Sequence, residues 1–145
     1  MSRNVFEQLS QVLQNDVRQF PTFARQALEI EGMTVLADAK RLSRVNTGYY
    51  RASWQAGPVK RSGNTWTKRV WNNADYAYYL EYGFRSHFVP GEWVGNVFRY
   101  DPSASGGMYV GPKGGYVRGD FTLKRSTRGS AVRLARYMSQ RMGVR

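Results

Sequence analysis

The sequence predicts an α+β fold: N-terminal helices and a C-terminal helix packed on a small antiparallel sheet, with a long glycine-rich loop or β-excursion. Three observations predict it. Apolar residues recur at helical spacing through about residue 44 and again over 128–142. Residues 49–59 and 65–72 between them are rich in Tyr, Trp, Val and Thr. Residues 83–120 then hold nine glycines and three prolines among scattered aromatics. A chain of 145 residues is the length of one domain. Its expected parts are a helical segment 1–44, a strand-hairpin-short-helix core 45–83, an extended arm 84–121 and a basic helical end 122–145.

Val5, Phe6, Leu9, Val12 and Leu13 define a first amphipathic helix over 3–16. Phe20-Pro21 is expected to break it, because proline disfavours a helical residue before it. Thr22 can cap a second helix, whose stripe is Ala24, Leu28, Val35, Leu36, Ala39 and Leu42. Gly32 weakens that helix by about 1 kcal/mol relative to Ala without stopping it. Asn46-Thr47-Gly48 signals a turn. Ala52, Trp54 and Ala56 then alternate with polar positions, and Lys60 to Asn64 has turn composition, so a hairpin is expected. Asn72 to Asp75 offers an N-cap for a short helix 74–82 with Tyr76, Tyr79 and Leu80 on one side; Gly83 follows as its C′ glycine. Val94, Val97-Phe98 and Met108-Tyr109-Val110 are candidate short strands, with a loop tip at Asp101 to Gly107. Ala131, Leu134, Ala135, Met138 and Met142 give the last helix one apolar face, with Arg133, Arg136 and Arg141 on the remainder.

Apolar residues make up 41% of the chain and charged residues 22%, values that fit a folded protein. Fourteen of the twenty-one aromatics lie between Tyr49 and Tyr100, so that stretch should hold core, interface or both. Cysteine is absent, which excludes disulfides, thiolate metal sites and cysteine nucleophiles. The N-terminus lacks the apolar core of a signal peptide, and no window approaches eighteen continuous apolar residues, so no membrane partner is expected. The net charge of +12 is uneven. Residues 1–43 are neutral, whereas 121–145 hold seven basic residues and no acid. Such a field attracts polyanions or an acidic protein surface.

Catalysis needs titratable groups that converge. His87 is the only histidine, so no metal cluster, catalytic residue or cofactor site is expected. Glu81 and His87 could approach across Gly83, but the better reading is local hydrogen bonding. Gly111-Pro112-Lys113-Gly114-Gly115 lacks P-loop spacing and reads as a turn. Arg118-Gly119-Asp120 reads as a chance tripeptide. Basic residues interleave with aromatics in Lys68-Arg69-Val70-Trp71 and around Arg85 and Arg99, a combination that can stack bases and contact phosphates. A solvated arginine face is the commoner origin of a basic helix such as 128–142, with non-specific DNA contact as its main competitor.

Two segments are distinctive: Val45-Asn46-Thr47-Gly48-Tyr49-Tyr50-Arg51-Ala52-Ser53-Trp54, and Asn73-Ala74-Asp75-Tyr76-Ala77-Tyr78-Tyr79-Leu80-Glu81-Tyr82-Gly83-Phe84-Arg85-Ser86-His87. Together they resemble the tail-component family of tailed phages named for the tenth gene product of a lambdoid phage. Tyr50 stands where that family usually has Leu, Phe84 where it has Thr, and Ser86 where it has Pro. The resemblance covers roughly residues 25–90. It implies a non-enzymatic virion protein of the neck, head–tail joining or tail-completion layer, made in the host bacterial cytoplasm. The implied partners are sister copies in a ring, a hexamer before a dodecamer, together with the head connector and the tail tube or terminator. The alternatives are a tail-terminator ring subunit or a basic DNA-binding accessory protein. Thr47, Gly48, Arg51, Tyr76, Glu81 and Gly83 are expected to build the motif, with Arg51 able to pair an acid such as Glu81. Phe84, Arg85, His87, Phe88, Trp93, Phe98, Tyr100 and Tyr109 are the expected subunit contacts. Arg128, Arg133, Arg136 and Arg141 are expected to face an acidic neighbour or DNA.

Overall fold

A computed structural model describes residues 2–46 and 48–143. Thr47 lies outside the described residues, as do the side chains of Val5, Phe6, Val12 and Leu13. The chain divides into two compact units: residues 1–74 with 122–145, and residues 75–121.

The first unit is built on α1 (Ser2–Leu42), one 41-residue helix where two were expected. Pro21 lies inside it. Proline removes one backbone donor and crowds the preceding turn, a local cost that does not oblige a helix to end. Ala24, Ala27, Glu31, Val35, Ala39 and Ser43 recur at intervals of three or four and are all buried. Small residues on this stripe let the neighbours come close. Thr122 and Ser126 of α4 (Thr122–Ser126), which packs on α1, are fully buried. Gly32 is explained by Lys68: the lysine stem lies where a Cβ on residue 32 would be, and Nζ reaches Glu29 Oε1 at 2.9 Å.

Residues 49–59 are not one strand. Gly48, at φ +83, starts a single helical turn, α2 (Tyr49–Ala52). Gly tolerates that left-handed conformation, so the turn expected at Asn46 to Gly48 enters a helix rather than a strand. The hairpin follows in two parts. β1 (Trp54–Ala56) pairs β4 (Val70–Asn72), and β2 (Lys60–Ser62) pairs β3 (Thr65–Thr67). Both pairings are antiparallel, but three residues, 57–59, oppose two, 68–69, so the register shifts by one. This is a bulge, and it holds Pro58, which has no N–H to give a ladder. The turn is Gly63-Asn64, with Gly63 at φ +58. Trp54 anchors the hairpin: it is buried, its Nε1 donates to Ser43 Oγ at 2.8 Å, and its ring meets Tyr50 edge-on at 5.7 Å.

The basic C-terminal helix, α5 (Ser130–Arg141), runs antiparallel to α1. Arg133 meets Glu31, and Tyr137 Oη donates to Gln26 Oε1 at 3.3 Å. None of its residues is fully buried; Leu134, Met138 and Met142 are half-buried, while Ala131 and Ala135 are exposed.

The second unit joins the expected β-excursion to the short helix, which was expected in one core with the hairpin instead. After α3 (Ala77–Tyr82) come β5 (Gly83–Arg85), β6 (His87–Val94), β7 (Val97–Tyr100), β8 (Gly107–Val110) and β9 (Tyr116–Arg118). β5 pairs β9, and β6 lies between β7 and β8 in a three-stranded sheet. All these pairings are antiparallel. α3 begins without a side-chain cap; Asn72 Oδ1 instead accepts from the Ala74 amide at 2.8 Å. Gly83 (φ +87) closes α3 and leads straight into β5, where a Cβ would collide with the Val117 carbonyl and the Gly119 amide.

Candidate functional site

The second unit presents its aromatic residues outward. Among the described residues, every buried hydrophobic side chain lies in the first unit: Ala24, Ala27, Val35, Ala39, Tyr50, Trp54 and Ala74. In contrast, Tyr76, Tyr78, Tyr79, Tyr82, Phe88, Trp93, Tyr100, Tyr109 and Tyr116 are all exposed in the second. Tyr76 and Tyr79, expected together on one side of the short helix, are not buried there: with Tyr82 they are 41%, 55% and 53% exposed. A helix of six residues beside thin sheets offers too little cover to bury them.

The eight expected contact residues fall into groups. Phe84, Arg85 and His87 line one open recess of about 540 Å³ with Tyr76, Tyr79 and Val110. His87 is exposed; its Nδ1 lies 3.3 Å from the Arg85 carbonyl oxygen, a bond made by the Nδ1-protonated tautomer. Phe88 and Tyr109 oppose each other across β6 and β8 with rings 5.4 Å apart. Trp93 and Phe98 do the same across β6 and β7 at 5.3 Å. Tyr100 ends β7 and is 67% exposed. Cross-strand aromatic pairs of this kind stiffen a hairpin that has no core beneath it.

The loop between β7 and β8 is ordered at its start by Asp101, whose Oδ1 accepts from the Ser103 amide at 2.8 Å and the Ser103 hydroxyl at 2.6 Å. Those bonds hold the Asp101 carboxyl below its ordinary value. The glycine-lysine segment is a turn, closed by Gly115 N donating to the Pro112 carbonyl at 2.8 Å, with Lys113 Nζ over the Tyr109 ring. In Arg118-Gly119-Asp120, Gly119 is buried where a Cβ would strike the Glu81 carbonyl. Glu81 is buried, and Arg51 Nη2 is 3.5 Å from the Ser43 carbonyl oxygen.

The four arginines of the C-terminal segment are not equivalent. Arg133 is not offered to a partner: Nη2 donates to Glu31 Oε1 at 2.6 Å and Nε to Oε2 at 2.9 Å. The cause is Glu31, buried on the α1 stripe, where a carboxylate without a cation would be costly. Burial raises the Glu31 carboxyl, but hydrogen bonds from Arg133 and Ser130 and the Arg133 charge outweigh it, so it stays below its ordinary value. The same bond, against some desolvation, raises Arg133. Arg128, Arg136 and Arg141 remain exposed.

One basic surface takes shape only in the fold, around Arg69 and Trp71 of the basic-aromatic stretch singled out in the sequence. The bulge in the hairpin opens a recess of about 310 Å³ lined by Gly57, Pro58, Lys60, Thr67, Arg69 and Trp71. The signal for it was in the chain: no Asp or Glu lies between Asp38 and Asp75, a span holding eight basic residues. Among the described residues no group of His, Asp and Glu could hold a metal ion, and no helix is long and apolar enough to cross a membrane.

No curated protein and no solved structure matches the chain. The profile of the family described as "Bacteriophage HK97-gp10, putative tail-component" matches residues 7–83, just over half of the sequence. The match takes in α1, the hairpin and α3, and with them both motif segments up to Gly83. The chain belongs to this HK97-gp10-like family of bacteriophage tail components.

Proposed function

We propose that the chain is a non-enzymatic structural subunit of the neck, head–tail joining or tail-completion layer of a tailed-phage virion, acting by assembly. One observation carries this reading: the unit 75–121 displays nine large aromatic side chains and buries no hydrophobic one. Exposed aromatic surface on this scale is costly in water and marks a surface made to be covered. The sister copy is the first partner. Head-to-tail contacts between copies close into a ring, a hexamer being favoured over a dodecamer, with the head connector on one side and the tail tube or terminator on the other. Phe84, Arg85, His87, Phe88, Trp93, Phe98, Tyr100 and Tyr109 are the proposed contacts. A tail-terminator ring subunit is the same reading in a neighbouring layer. A basic DNA-binding accessory protein is the second reading, favoured by the net charge of +12. Arg128, Arg136 and Arg141 then face DNA or an acidic protein.

The test is native mass and light scattering of the purified protein, alone and with the connector and tail proteins of the same phage, for the parent and for Trp93→Asp/Tyr100→Asp. The parent forms a ring or joins the particle, and the double variant stays a folded monomer that leaves heads and tails unjoined. A monomer absent from finished particles would end the assembly reading.

A further inference from the structure

We propose that the bulged hairpin of the first unit carries a DNA-backbone site, in the recess between Lys60 and Arg69 with Trp71 as its wall. This goes beyond assembly and does not depend on it.

The first ground is the charge division. The unit of residues 1–74 and 122–145 has eighteen basic and five acidic residues, net +13; the unit 75–121 has four and five, net −1. The net positive charge that draws a polyanion therefore resides in the first unit. Within it, three of the five acids are engaged: Glu29 holds Lys68, Glu31 holds Arg133 and Asp38 holds Arg41. Lys60, Arg61 and Arg69 are exposed and make no ion pair among the described residues.

The second ground is the geometry of the recess. Because 57–59 bulge against 68–69, the strands part beside Trp71 and leave a hollow of about 310 Å³. The Trp71 indole is fixed by Nε1 donating to Asn73 Oδ1 at 2.7 Å. The Arg69 guanidinium lies 6.0 Å from the centre of that indole. A guanidinium on an aromatic ring still has N–H donors at its edge, and phosphate is the anion those donors suit. Lys60 and Thr67, directly opposite each other in the β2–β3 register, add an ammonium and a hydroxyl. At the tip, Arg61 sits 5.1 Å over Trp66 and is tied by Nε to the Gly63 carbonyl at 2.9 Å, placing a further cation. Two cations, a hydroxyl and a fixed indole around one hollow is the combination that holds a phosphodiester backbone and can stack a base.

The full-length protein is titrated into fluorescein-labelled 20-base single-stranded DNA and into the matching duplex, with anisotropy read from 50 to 300 mM salt. Lys60→Gln/Arg69→Gln should weaken binding at least ten-fold and lower the slope of log affinity against log salt by about 2, one unit per lost phosphate contact. Its light-scattering mass and thermal melt should match the parent, which separates this site from assembly and from folding. Tighter binding of the single strand assigns a stacked base to Trp71, and equal binding assigns the backbone alone; both support the site. Parent affinity in Lys60→Gln/Arg69→Gln would overturn it. So would an equal loss in Arg136→Gln/Arg141→Gln, which would make the attraction diffuse. Polyglutamate competing as well as DNA at equal charge would also overturn it, and would assign the surface to an acidic protein.

Discussion

The two units of the chain divide the physical work. The first has a core: a small-residue stripe on α1, closed by Trp54, α4 and α5, and pinned by two cross-element ion pairs. It carries a net charge of +13. The second has near-zero charge and no core, and is held by strand pairing, cross-strand aromatic pairs and the close approach of Gly83 and Gly119. Three strands without a covered apolar face are marginal alone. On the proposed reading the difference puts folding stability and adhesion in separate segments, so substitutions in one should leave the other's readout unchanged.

The largest expected contrast is between two tryptophans. Trp54→Ala removes a buried indole and its bond to Ser43, and should cost about 3–5 kcal/mol in denaturant unfolding. Trp93→Ala, at a position 58% exposed, should cost under about 1 kcal/mol yet abolish assembly with neck or tail proteins. Equal costs would break the comparison. Next, Gly83→Ala forces a side chain at φ +87 into the Val117 carbonyl, for about 2–3 kcal/mol of local strain. Hydrogen exchange should quicken in β5 and β9 and stay unchanged in α1.

Glu31→Gln should cost about 1–2 kcal/mol, a charged hydrogen-bond pair discounted for the partial exposure of Arg133. The Glu31 carboxyl is held below its ordinary 4.5 in the folded chain. Its contribution is therefore complete above that value and is lost as pH falls through the lower folded value. The glutamine variant should lack that acid-side loss in melts taken from pH 7 to 3. Smallest is Gly32→Ala, where about 1 kcal/mol of helix propensity is offset by unseating the Lys68 stem. The net change should lie within about 1 kcal/mol of zero, and the same substitution in Lys68→Ala should recover the full gain.

Most of the architecture was legible because periodicity reports which face is buried. Ala24, Val35 and Ala39 on α1 and the Trp54 strand follow from it, although Leu28, Leu36 and Leu42 of the expected stripe are only half-buried while Ala27, Glu31 and Ser43 are buried. The glycine end of the short helix and the strands at 97–98 and 108–110 follow from residue type. Pro21 and residues 49–52 misled because they are local signals, and local preference yields when the chain as a whole favours continuing a helix or tightening a turn. The aromatic surface was legible as clustering, but clustering cannot distinguish a core from an interface; exposure can. Arg133 could not be separated from Arg136 in sequence, because its partner Glu31 is 102 residues away. The bulge at 57–59 was hidden for the same reason: a register shift belongs to two strands at once.

The most direct measurement is hydrogen exchange by mass spectrometry on the free subunit and on assembled particles. Residues 75–121 should exchange quickly in the free protein and become protected in the particle, while the core stripe of α1 is slow in both. Protection of 75–121 already complete in the free subunit, or absent in the particle, would contradict the claim that this unit exists to be covered by its neighbours.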